Sequence, residues 1–229
     1  MPNCANFISM IKTNEPAAQL TLARLGHVAP TLQAVLDLAI TASRNFFEGR
    51  KREIDRSLFP DLVRYEAKLL LDDPKYKAIG YEFVSLSRNG LLVIYQHEGC
   101  TYRIRIRKAD EEGELPMNNL SNALKDYCKQ SDPYPRLEGM SVEEMERYES
   151  PELIKLFVVW DVDQNYVLTE THLCCPKGIF GDMYFADEIP HAVTSIIATS
   201  DFDAESEELD DLNLTIMKTG TAADDDAND

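Results

Sequence analysis

The sequence predicts an α+β domain in which N-terminal helices pack on an antiparallel or mixed β-sheet, followed by an acidic C-terminal tail that stays disordered. Three observations carry this. Apolar residues recur at three- and four-residue steps over residues 30–72, then alternate every second residue over 81–108. After residue 200 the pattern gives way to a polar run with eleven acids and one lysine, too poor in apolar residues to offset its ordering entropy. The chain of 229 residues is therefore divided into an arm (1–29), one α+β domain (30–200) and a tail (201–229). Its formal net charge is −17, of which −10 lies in the tail and only −7 in residues 1–200.

Residues 1–29 have weak periodicity, interrupted by Asn14, Pro16, Gly26 and His27, and are expected to be loosely attached. Pro30 and Thr31 open a helix in which Leu32, Val35, Leu36, Ala39, Ile40, Phe46 and Phe47 form one stripe. It is expected to run to about Arg56, with a basic end at Arg44, Arg50, Lys51, Arg52 and Arg56. A second helix has Ser57 as N-cap, Pro60 and Asp61 in its first turn, and Leu62, Tyr65 and Leu69 as its inward face; Asp72-Asp73-Pro74 stops it. Residues 81–86, 91–95 and 101–108 read as three strands of an antiparallel meander, turned at Asn89-Gly90 and at His97-Glu98-Gly99. A polar loop follows, then a short helix near 121–130 and a connection rich in proline at 132–135. Ser141-Val142-Glu143-Glu144 has the form of a capping box and starts another short helix. The continuous apolar run at 153–160 predicts a central strand, turned by Asp163-Gln164-Asn165 into a return strand over 166–175.

No stretch reaches the roughly 18 consecutive apolar residues of a membrane helix, and Met1-Pro2-Asn3-Cys4 lacks the basic region of a signal peptide, so a cytoplasmic protein without membrane partners is expected. Cys4, Cys100, Cys128, Cys174 and Cys175 are odd in number and sparse, as befits reduced thiols; of the adjacent pair in the strand, one is expected in the core and the other exposed. His27, His97, His172 and His191 are scattered and no Cys-x-x-Cys occurs, so nothing points to a zinc or dithiol site. Met117, Met140 and Met145 read as gap fillers. Lys177 follows Pro176 without the glycine frame of a phosphate loop. Asp161-Val162-Asp163 begins like a calcium loop, but Tyr166 stands where glycine is needed and His172 where a closing carboxylate belongs; a hairpin turn held by Asx hydrogen bonds is expected instead. No metal and no cofactor are expected.

The order helix, three strands, helix, strand resembles the restriction-endonuclease core in outline. That resemblance implies a carboxylate two positions before a lysine on the third strand, where it would hold a divalent metal. Here Ile106 precedes Lys108 in that place; Glu66, Glu82 and Asp161 could be conscripted, but nothing in their spacing demands it. No catalytic residue is assigned.

Against the acidic background, Tyr102-Arg103-Ile104-Arg105-Ile106-Arg107-Lys108 stands out. A strand turns Tyr102, Ile104 and Ile106 inward and sets Arg103, Arg105 and Arg107, with Lys108 beside them, outward as an anion-binding row. Same-face residues are roughly 6.6–6.8 Å apart, near the roughly 6–7 Å between successive phosphates of a nucleic acid. Surface ion pairs, a protein partner or the acidic tail, and nucleic acid are the three counterparts for it. Within the tail Leu209, Leu212, Leu214 and Ile216 lie among acids, the composition of a docking segment for a partner protein.

The segments 59–68 (Phe-Pro-Asp-Leu-Val-Arg-Tyr-Glu-Ala-Lys), Asn89-Gly90-Leu91, 102–108, Leu115-Pro116, Trp160-Asp161-Val162-Asp163 and Cys175-Pro176-Lys177-Gly178 resemble an uncharacterised family of bacterial proteins. The resemblance covers residues 58–192. Members accompany helix-turn-helix regulators and zinc-peptidase-like proteins in mobile-element or phage-related control; the resemblance brings no assigned activity or catalytic residues and points toward a regulatory role. The expectation is a cytoplasmic binding or regulatory protein whose partner is another protein, with a nucleic-acid-binding or nuclease-related protein as the alternative; oligomeric state is left open.

Overall fold

The computed structural model describes residues 15–74, 81–86, 90–111, 113, 115–117, 120–134, 140, 144, 147, 151–179 and 182–190. Among them run α1 (Glu15–Leu25), α2 (Val28–Gly49), α3 (Phe59–Asp72), β1 (Tyr81–Leu86), β2 (Gly90–His97), β3 (Cys100–Lys108), α4 (Asn122–Cys128), β4 (Leu153–Val162), β5 (Leu168–Pro176) and β6 (Met183–Glu188). The six strands form one mixed sheet whose spatial order equals the chain order. All neighbours are antiparallel except β3 and β4, which are parallel. A parallel pair cannot be joined by a hairpin, and α4 lies within its crossover.

Strand alternation gives the sheet two faces with different cores. On the first, Val93, Tyr102, Ile104, Ile106, Leu156, Val158, Trp160 and Leu173 pack against the apolar stripes of α1, α2 and α3. On the second, Phe157, Val159, Cys174 and Ala186 are covered by Leu124, Tyr127 and Cys128 of α4 and by Ala109, Leu115 and Leu120. β4 is apolar on both sides because both sides are covered. Cys174 and Cys175 do point to opposite faces, but both are buried, since the second layer makes a core on each side. Met117 and Met140 fill partly buried positions against these cores.

The local rules hold at most boundaries. The β2–β3 hairpin turns through Glu98 (φ 48°) and Gly99 (φ 81°), the two left-handed positions of a type I′ turn. Ser121 caps α4 by accepting from the Leu124 amide at 3.3 Å. The carboxylate of Asp163 accepts from the amides of Asn165 (2.8 Å) and Val167 (2.9 Å), and these bonds hold its pKa below the usual range; Tyr166 takes a left-handed φ of 58°. The would-be calcium loop is thus an Asx turn.

Four expectations are corrected. Residues 15–25 are a helix of the core, not an arm: Ala17, Ala18, Thr21 and Leu25 are buried, and the Thr21 hydroxyl lies 3.2 Å from that of Tyr134. Small side chains gave it no apolar periodicity to read, and Gly26 (φ 51°) ends it in the left-handed position that suits glycine. α2 begins at Val28, with Pro30 tolerated in its first turn, and stops at Gly49, so Arg50, Lys51, Arg52 and Arg56 lie beyond it. α3 turns Phe59, Val63, Ala67 and Leu71 inward, leaving Tyr65 and Leu69 outside. Its entry is organised by Asp55, which accepts from the amides of Ser57 and Leu58, and not by Ser57 as a cap. β6 extends the sheet by a strand the alternation did not announce. The first fourteen residues, Asn89, Ser141, Val142 and Glu143 of the capping box, Met145 and the tail with Leu209, Leu212, Leu214 and Ile216 lie outside the described residues.

A candidate anion-binding surface on β3

The basic row is built by the alternation that buries Tyr102, Ile104 and Ile106 on the first face. Arg103, Arg105 and Arg107 emerge on the second face beside α4. Arg103 is exposed, whereas Arg105 and Arg107 are half-buried. The guanidinium of Arg105 lies 4.5 Å from the centroid of the Tyr127 ring, a cation–π arrangement. The Tyr127 hydroxyl donates to the carbonyls of Arg103 and Leu156 (2.8 Å to the latter), bolting α4 across the parallel junction of β3 and β4. Burial pushes the phenol pKa well up, so it stays a protonated donor.

α3 adds a cation that the strand pattern did not foretell. The charge of Arg64, paired with Asp61, acts on Arg107. Burial, then the like charges of Arg64 and Arg105, holds the Arg107 pKa below its ordinary value. The Nε groups of Arg64 and Arg105 are buried and find no acceptor among the described residues. Arg105 and Arg107 thus stand two residues apart on one face of β3, while Arg64, whose charge reaches Arg107, is itself paired with Asp61. The tertiary placement of α3 decides this, and no local signal near Arg64 could have shown it.

Surface ion pairing does not neutralise the row: none of Arg103, Arg105 and Arg107 has a carboxylate within ion-pair distance among the described residues. Glu82, the acid of the neighbouring hairpin, is in register with Ile94, which in turn faces Arg103. Two strand spacings, roughly 10 Å, separate the acid from the row. The remaining cations serve elsewhere. Lys155, in register with Arg103, donates to the Asp126 (3.2 Å) and Lys129 (3.1 Å) carbonyls at the C-terminal end of α4. Lys108 does not join the row: alternation sets it on the face of Ile106, where its ammonium lies 3.3 Å from Asp161 and 6.0 Å from the Trp160 ring centroid.

The other candidates are dispersed. Glu66, Glu82 and Asp161 do not converge, and no three His, Cys, Asp or Glu side chains form a cluster among the described residues. His172 lies 3.0 Å from Glu170. The buried cysteines are held as thiols, Cys174 being pushed up to about 12 by burial. No single described helix is long and apolar enough to cross a membrane.

No family model, curated protein or solved structure matches the chain.

Proposed function

We propose that this is a non-catalytic binding protein with a regulatory role in a bacterial cytoplasm, and that the β3 row receives an acidic segment of a partner protein. One observation carries the reading: Arg103, Arg105 and Arg107 share one face of β3 with no carboxylate in ion-pair distance among the described residues, and the buried Nε of Arg105 finds no acceptor among them. Like charges held together and partly dehydrated are costly, and an anion bound between them relieves that cost. Planar guanidiniums suit carboxylates, which accept them bidentately. The net charge of −7 on residues 1–200 disfavours long-range attraction of a nucleic acid, so a short acidic peptide fits better than a polyanion tracked over many phosphates. The regulatory setting is an expectation from the sequence resemblance of residues 58–192 alone.

A polyglutamate peptide and a DNA oligonucleotide of equal charge, each titrated at two salt concentrations, test this. The peptide should bind at low salt, bind more weakly at high salt, and lose affinity at least tenfold when Arg103, Arg105 and Arg107 are replaced by alanine. Tighter binding of the oligonucleotide through the same arginines would support the nucleic-acid reading instead. Equal affinity of native and triple variant for both probes would overturn the site.

A further inference from the structure

We infer that the outer face of α3 is a self-association surface that pairs two copies of this chain through antiparallel α3 helices. The exposed large apolar residues are concentrated there: Leu58 is 48% exposed, Tyr65 55% and Leu69 50%, with Leu62 partly buried between them. Leu58, Tyr65 and Leu69 are not needed to hold α3 in place, because Phe59, Val63, Ala67 and Leu71 already anchor it on the first face, with Leu62 packed against the same core at the edge of the stripe. The spacing of the outer stripe, Leu58, Leu62, Tyr65, Leu69, runs four, three, four. That is the seam of a two-stranded coiled coil, in which successive core positions alternate by three and four residues.

The same spacing reads identically in both directions, and this selects a second copy as the occupant. A two-fold axis between Leu62 and Tyr65 sets Leu58 against the partner's Leu69 and Leu62 against the partner's Tyr65, with every seam residue matched. The flanks agree. Asp61 and Lys68 border the seam on one side, and the same axis brings Asp61 of each copy to Lys68 of the other. A parallel pair would instead bring Asp61 of each copy toward Glu66 of the other, two like charges. Antiparallel helices also place opposite ends of their macrodipoles together. Two heptads are too short to associate as isolated peptides, but α3 is already folded by tertiary packing, so association orders only side chains. A seam of four residues is small beside the roughly 1,200–2,000 Å² buried in stable complexes. The dimer is therefore weak and concentration-dependent.

Sedimentation velocity on the full chain across micromolar concentrations is the test. The weight-average mass should climb toward twice that of the monomer, and Tyr65→Glu or Leu69→Glu should hold it at the monomer value with unchanged circular dichroism. Lys68→Asp should weaken association about tenfold, and adding Asp61→Lys to it should restore most of the loss, because the axis pairs the two positions between copies. A native chain that stays monomeric throughout would overturn the inference, whatever else covers the stripe. So would a dimer indifferent to Tyr65→Glu and Leu69→Glu, or a Lys68→Asp defect that Asp61→Lys does not repair.

Discussion

The two faces of the sheet are built from the same strands by opposite logic. On the first, three helices cover a continuous apolar surface on which Ile104, Leu156, Val158 and Leu173 are fully buried. On the second, apolar cover stops near β4, and β3 presents guanidiniums where the first face presents isoleucines. Adjacent residues of one strand, Ile104 and Arg105, therefore face a filled core and a polar surface respectively, and only the second is open to the proposed recognition. Charges can remain in reach of a partner only where the hydrophobic layer is incomplete, and the proposed binding surface lies there.

The comparison is most severely tested by truncating the first face. Trp160→Ala should cost about 3–5 kcal/mol and Ile104→Ala about 2–5 kcal/mol, read as a lower midpoint in urea denaturation. On the second face Tyr127→Phe removes the hydroxyl that joins the β3 and β4 carbonyls and should cost about 1–3 kcal/mol. A negligible loss there would mean that α4 is held by its apolar contacts alone.

Alkaline titration probes the buried thiols of both faces. A folded-state pKa raised from 9.0 to about 12, as for Cys174, gives stability that is intact below pH 9 and lost progressively as pH rises toward 12, since the unfolded chain ionises first. The melting temperature should fall over that window, and Cys174→Val should flatten the slope. An unaltered slope would assign it to other groups.

The smallest stability effect belongs to the row. Arg105→Ala should change stability by about 0–1 kcal/mol, the lost contact with Tyr127 being offset by relief of its repulsion with Arg107, although it weakens binding of the acidic peptide. Lys108→Ala should leave that binding unchanged, because Lys108 lies on the other face. Removing residues 201–229 should tighten peptide binding a few-fold at low salt, since a tethered segment of charge −10 competes for any cation it can reach. Identical affinities with and without the segment would exclude that competition.

Much of the fold was legible because periodicity is a local property. The switch from helical spacing to alternation at residue 81, the Glu98-Gly99 turn and the twice-buried strand β4 each follow from a few adjacent residues. What stayed hidden depends on neighbours distant in sequence. α3 carries two apolar stripes, and composition cannot say whether Val63 and Ala67 or Tyr65 and Leu69 face the core; the small residues win because they allow close approach to the sheet. The alternating arginines of β3 were plain, yet their lack of carboxylates required the register of Glu82, and the contribution of Arg64 required the position of α3. The short β6 and the alanine-faced α1 gave too little pattern to read.

The parallel pairing of β3 with β4 has a kinetic consequence. Each hairpin of the sheet closes over a few residues, but this junction closes across the crossover from residue 109 to residue 152. Loop-closure entropy makes it the slowest contact to form, so β1–β3 and β4–β6 should assemble first as separate halves, and the sheet should become whole only when they dock. Tyr127, hydrogen-bonded to both halves, would then be recruited in that final step. Its substitution should accelerate unfolding if its bonds form after the folding barrier and slow refolding if they form before it.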